Sequence, residues 1–227
     1  MDKNDDSVRQ FHELSELAEC GKFKEALEKH IWFHEASKHM PGMGGVRLSY
    51  ALDLWKELAE KYQPAMEALV DLRNNNKEKL LTGRGNFDNF HDLSALNFVL
   101  DEKEDTLMVF LEIHKNDPEQ AKAYYHVVDQ LLVERKEYEI CDHYLVDPLA
   151  KYSQLQHLHE MNTKLIKTNP EMDNDEFKEF AVDNYVKGVC RLIEVLDAVD
   201  KKDVAKEIQR RALQYFDNDD IRRAICF

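Results

Sequence analysis

Apolar residues recur every three or four positions from Phe11 almost to the C-terminus, and this period constrains the chain more than any other feature. Phe11, Leu14, Leu17 and Ala18 form one stripe; Phe23, Ala26, Leu27, His30, Ile31 and Phe33 form the next, after Cys20-Gly21. A strand needs a period of two, and no segment keeps one. Only 7 Gly and 5 Pro interrupt 227 residues, too few for a loop-rich sandwich. The expectation is an all-α chain.

Punctuation divides the pattern. Gly21 fits the left-handed stop between two antiparallel helices. Met40-Pro41-Gly42-Met43-Gly44-Gly45 reads as the clearest loop, and residues 41–45 as a hinge within one domain spanning 1–227. Helices are predicted over 46–62, 64–72, 87–100, 103–115, 118–135, 136–144, 148–169, 177–199 and 203–216, with breaks at Asn74-Asn75-Asn76 and at 82–86. Asp117 before Pro118 makes a cap followed by a first-turn proline, and Asp173 or Asn174 caps the helix beyond the acidic stretch 171–179. The tail from Ile221 to Phe227 is apolar on one side and is expected to dock back.

Aligning helix pairs on a small residue early in each second helix gives Ala26, Ala68, Thr106, Cys141 and Ala205. Gly21, Phe23, Ala26 and Leu27 spell G-x-F-x-x-A-L, Tyr125, Val128 and Leu132 precede Tyr138 and Cys141, and Val189, Leu192 and Leu196 precede Ala205 and Ala212. Pro118 stands where a repeat-ending proline falls. These residues resemble the tetratricopeptide repeat (TPR) family, whose units run about 34 residues. The resemblance implies a right-handed α-solenoid of antiparallel helix pairs with a concave groove. It places Phe11, Tyr50, Asp53, Glu57, His91, Phe98, His126, Gln130, Glu134 and Arg191 on that groove. The function it implies is an interaction scaffold, adaptor or chaperone that receives a protein or peptide segment. Aromatic and acidic lining suits a basic segment with apolar anchors. The paired Lys and Asn with which some family members clamp a C-terminal carboxylate have no counterpart here.

The 45 acidic against 31 basic residues give a formal charge of −14, which disfavours nucleic acid and anionic membrane as partners. Net charge of this kind otherwise reports solubility. Cys20, Cys141, Cys190 and Cys226 are scattered, the opening MDKNDDSVRQ has no apolar signal core, and no run of about 18 apolar residues occurs. The expectation is a cytoplasmic protein with reduced thiols.

Chemistry-bearing patterns are sparse. His34 and His39 are five apart, not the four of a metalloprotease helix. His30 and His34 are four apart with no third ligand nearby in sequence, and His157 and His159, two apart, face different ways. Gly83-Arg84-Gly85 lacks the Lys-Ser/Thr ending of a phosphate loop, and Asp217-Asn218-Asp219-Asp220 lacks the glycine of a calcium loop. The histidines therefore read as core or surface residues. No catalytic residue, metal or cofactor is expected. The alternative is a helical hydrolase or ribonuclease-like enzyme using His91 with Arg84, or a metal held by His30 and His34.

Overall fold

The computed structural model describes residues 3–224, among which helices joined by short turns are the regular structure and no strand occurs. In chain order the helices are α1 Lys3–Glu19, α2 Phe23–Ala36, α3 Met43–Val46, α4 Tyr50–Lys61, α5 Gln63–Leu81, α6 Phe87–Val99 and α7 Lys103–Asn116. They continue with α8 Pro118–Glu134, α9 Tyr138–Tyr144, α10 Pro148–Thr168, α11 Asp175–Ala198, α12 Lys202–Tyr215 and α13 Asp219–Arg223. None of the described helices is long and apolar enough to cross a membrane. The chain forms two compact units, 1–128 and 129–227, divided within α8.

Four helix-to-helix turns share one geometry, and Gly83 (φ +71°), with Arg84 N–H reaching Lys79 O at 2.8 Å, makes a fifth that is followed by the exposed Asp88 instead of a buried small residue. Gly21, Asp101, Lys136 and Asp200 each take a left-handed φ of +59° to +73°. The next N–H reaches back five residues, from Lys22 to Leu17 O at 3.0 Å, Glu102 to Asn97 O at 2.7 Å, Glu137 to Leu132 O at 2.9 Å and Lys201 to Leu196 O at 2.8 Å. This is the double-bonded stop that satisfies the last carbonyls of a helix. Five residues beyond each left-handed residue stands Ala26, Thr106, Cys141 or Ala205, all fully or almost fully buried. A small side chain at that point lets the second helix lie close against the first.

Ala68 does not belong to this set. It is only half-buried, and the connection from α4 to α5 runs through an extended Tyr62 (φ −142°, ψ 98°) with Pro64 in the first turn of α5.

In the first unit α4 packs on α2, α5 and α6. Leu52, Trp55, Leu58 and Ala59 meet Ala26, Ala65, Leu69 and Leu96 there, and Trp55 Nε1 donates to Ala65 O at 3.2 Å. Leu14, Phe33, Met43 and Ala51 make a second core, so the segment expected as a hinge, 41–45, carries a buried anchor inside this unit. In the second unit α11 packs on α9, α10, α12 and α13. Gly188 lets α10 approach: a Cβ there would lie 2.8 Å from the Leu155 side chain. Ile221 of α13 is fully buried, as expected for a docked tail; the last residues of that tail, 225–227, with Cys226, lie outside the described ones.

Two expected boundaries are corrected. The helix predicted over 46–62 begins at Tyr50, because the chain turns at Arg47–Ser49 to carry the Arg47 side chain inward. The break expected at Asn74–Asn76 is absent: α5 runs on to Leu81 and stops at Gly83. Asn76 is buried there, donating to Leu72 O at 3.0 Å and accepting from Asn89 at 2.9 Å, so its amide is satisfied within a helix.

Candidate functional site

His30, Phe33, His34 and Ser37 follow one another at helical spacing along α2 and its exit, and all four are buried. The chain then passes through a 3-10 turn, Ser37–His39, a left-handed Gly42 and the single turn of α3. It delivers Lys38 and Arg47 to Asp92, which sits on the buried face of α6 between Phe90 and Leu96.

These groups form one ionic cluster. Asp92 is 1% exposed and accepts a hydrogen bond from Arg47 Nη2. Lys38 Nζ lies 3.7 Å from Asp92 and 2.9 Å from Glu35. Arg47 Nη1 is 3.1 Å from His34 Nε2. The same Nε2 lies 3.6 Å from Asp92 Oδ2, so it faces both partners of the ion pair. His34 Nδ1 is buried with no protein partner. A buried polar atom left so costs about 1–3 kcal/mol, and its place asks for a reason.

Electrostatics follow the geometry. Burial by itself pushes the Asp92 carboxyl up; contact with His34 and the Arg47 guanidinium outweighs it and holds the group below the ordinary carboxylate range. Burial lowers His30 to about 4. That ring is neutral near pH 7 and stacks on Trp55 at 5.6 Å, while His34 meets the same indole edge-on at 6.3 Å.

Two clefts flank the cluster. The larger, about 560 Å³, is lined by Lys38, His39, Gly45, Arg47, Asp88 and His91 among others. The smaller, about 270 Å³, has Ile31, Trp55 and Leu72 with His34, and carries Glu35 and Asp71.

The residues expected on a groove fall into groups. Phe11 turns into the core beside Phe33, 6.1 Å between ring centroids. Tyr50, Asp53 and Glu57 are exposed on one side of α4, Tyr50 at 64%. Phe98 is 62% exposed on α6, with Lys103 Nζ 4.5 Å above its ring. His91 and His126 both pack on Phe87, at 5.5 Å and 5.2 Å. In the second unit Gln130 donates to Glu134 at 2.8 Å and accepts from Arg191 at 3.3 Å. Arg84, the alternative partner of His91, instead donates to Glu78 at 2.7 Å and to Thr82 at 3.0 Å. Among the described residues no group of three or more His, Cys, Asp or Glu is placed to hold a metal ion.

Sequence reasoning found His30 and His34 but not Lys38, Arg47 or Asp92. The only signal for Arg47 is a basic residue two positions after Gly44-Gly45; Asp92 carries none.

No family model matches the chain, and no curated protein or solved structure matches it either.

Proposed function

We propose that this chain is a TPR-like helical-repeat scaffold, an adaptor or chaperone, that binds a basic protein segment through an apolar anchor and catalyses no reaction. Its repeats are the four hairpins with a common left-handed turn and a buried small residue five positions on. Packing of α4 on α6, α5 on α7 and α10 on α12 adds the next-neighbour contacts that stacked hairpins make within each unit. In this reading the protein works in the cytoplasm without a cofactor, nucleic acid or membrane.

The observation that carries the binding role is the cleft beside His34. Its volume, about 270 Å³, suits one large side chain rather than a drug-sized ligand. Ile31, Trp55 and Leu72 give that side chain an apolar seat. Asp71 at the cleft's edge meets a neighbouring Lys or Arg of the segment. Tyr50, Asp53 and Glu57 give the exposed face of α4, on the side away from Trp55, an aromatic and acidic character of its own.

The test is a defined library of peptides of about ten residues, each with a central Leu, Ile or Phe flanked by Lys and Arg, against acid-flanked controls. Binding is read by fluorescence anisotropy. Basic-flanked peptides should bind, and Ile31→Asp and Asp71→Lys should each weaken them roughly tenfold, or 1.4 kcal/mol. Equal affinity for acid-flanked peptides, or unchanged affinity in both variants, would overturn the reading.

A further inference from the structure

Among the described residues, the large apolar side chains left in water are not spread evenly. Leu158, Met161, Leu165 and Phe180 are all exposed, Met161 by 55% and Phe180 by 53%, and all belong to the hairpin of α10 and α11. A chain that stays alone seldom leaves a contiguous apolar patch in water.

The hairpin's register makes the patch contiguous. Leu155 stands against Gly188 and His159 stacks on Tyr185 at 5.0 Å, so each step along α10 is matched by a step back along α11. Met161 comes level with Val182 and Leu165 with Lys178, within a turn of Phe177 and Phe180, whose rings lie 5.8 Å apart. On one side of the helix contact His159 and Tyr185 both meet Tyr215 of α12. Helical spacing rotates Leu158, Leu165 and Phe180 away from those two rings, out on the opposite side.

The rim carries both signs of charge, sorted by helix. Lys164 edges the apolar stripe of α10, and Glu176 stands one turn before Phe180 on α11. Both are exposed, and neither is ion-paired among the described residues. Their neighbours Lys178 and Lys187 are instead held by Asp173 and Asp183, each at 2.6 Å.

We infer that this face pairs with the same face of a second copy of the chain, about a two-fold axis running along the helices. Such an axis lays α10 of one copy over α11 of the other and keeps the levels. Met161 and Leu165 then meet the partner's Phe177 and Phe180, and Lys164 comes within a turn of the partner's Glu176. A two-fold makes every such contact twice. A foreign protein would have to bring both an apolar stripe and an acid opposite Lys164; this face already carries its own complement. Two helices about 10 Å across and about 30 Å long offer roughly 600 Å² per copy in projection, the scale of a weak, reversible dimer. The face belongs to the second unit and owes nothing to the peptide cleft of the first.

The experiment is sedimentation equilibrium of the full chain from about 5 to 500 µM. The average mass should rise from one chain toward two, with a Kd of about 10–100 µM. Phe180→Glu and Met161→Asp, both at exposed positions, should keep the helical circular dichroism and each raise Kd at least about tenfold. Lys164→Glu and Glu176→Lys should each weaken self-association about fivefold, because like charges then meet twice. An equimolar mixture of those two variants should associate as the native chain does, since every reversed charge faces its opposite in the mixed dimer. A native chain that stays monomeric at about 500 µM, a weak-interface limit, overturns the inference. A dimer unchanged by both apolar variants overturns the site. A mixture no tighter than the single variants overturns the two-fold pairing.

Discussion

His34 in the first unit and His159 in the second are both buried on helices, but their neighbours differ in kind. His159 stacks on Tyr185 at 5.0 Å, and its Nδ1 lies 2.9 Å from the Tyr215 hydroxyl. A neutral hydroxyl satisfies a neutral ring among aromatics, and packing needs nothing more. His34 sits against Arg47 and beside an Asp92 withdrawn from water. Burying such charges costs several kcal/mol per ion, which their mutual attraction repays only in part, so stability alone is a poor reason to keep them. Two clefts open at this cluster. The comparison teaches that a buried polar residue points to function when its neighbours leave it partly unsatisfied and at the wall of a cavity.

The largest effect tests that contrast directly. Asp92→Ala leaves Arg47 buried without its carboxylate and should cost about 3–5 kcal/mol, whereas His159→Phe gives up one neutral hydrogen bond and should cost about 1 kcal/mol. Urea unfolding separates the two units, because both tryptophans, Trp32 and Trp55, lie in the first and circular dichroism reports on both. Equal losses for the two variants would erase the distinction.

Acid sharpens it further. His30 titrates near 4 when folded and near 6.5 when unfolded, so on acidification the unfolded chain takes the proton first. Its contribution is complete above about pH 6.5 and disappears as the pH falls toward 4, a loss of at most roughly 3 kcal/mol. Asp92, held below the ordinary range, surrenders its share only at lower pH, as it protonates. Urea midpoints followed by tryptophan fluorescence across this window should fall steeply in the native protein and less in His30→Phe. Parallel curves would mean that His30 is not the group responsible.

The smallest effect compares turns. The first unit places glycine at Gly21 and Asp101 at φ +59°, while the second holds Lys136 and Asp200 at φ +60°. A side chain in that conformation carries strain of about 1–2 kcal/mol, partly offset by the extra freedom glycine gives the unfolded chain. Lys136→Gly should stabilise by about 0.5 kcal/mol and Gly21→Ala destabilise by about 1 kcal/mol in thermal melts. Changes of the same sign would show that the turns are not equivalent.

Much of the helical layout was legible in the sequence because it is written locally. The stop at Gly21, the caps at Asp117 and Asn174, and the small residues Ala26, Thr106, Cys141 and Ala205 all act within a few positions of themselves. Ala68 entered the alignment by composition, although no left-handed turn precedes it. The Asn74–Asn76 run read as a break because polar amides favour turns; the partner that satisfies Asn76 is Asn89, on another helix. The candidate site was the least legible part. Arg47 and Asp92 are 45 positions apart, and an ion pair across that distance imposes no period on either segment. His30 and His34 were visible as a pair, but what makes His34 informative is its contact with Arg47 at the wall of a cleft, a property of three dimensions alone.

The shared turn geometry also governs how the chain tolerates changes in length. A hairpin closed by a left-handed residue, with its small contact five positions later, is a self-measuring unit: it can be lost, duplicated or exchanged without altering the register inside its neighbours. The run from His30 to Arg47 has no such freedom. One residue removed between Ser37 and Arg47 would rotate or retract every cation it delivers to Asp92, leaving the helices standing around a cluster that no longer closes. Divergence among related chains is therefore expected to appear as whole hairpins gained or dropped, with this short connection kept at constant length.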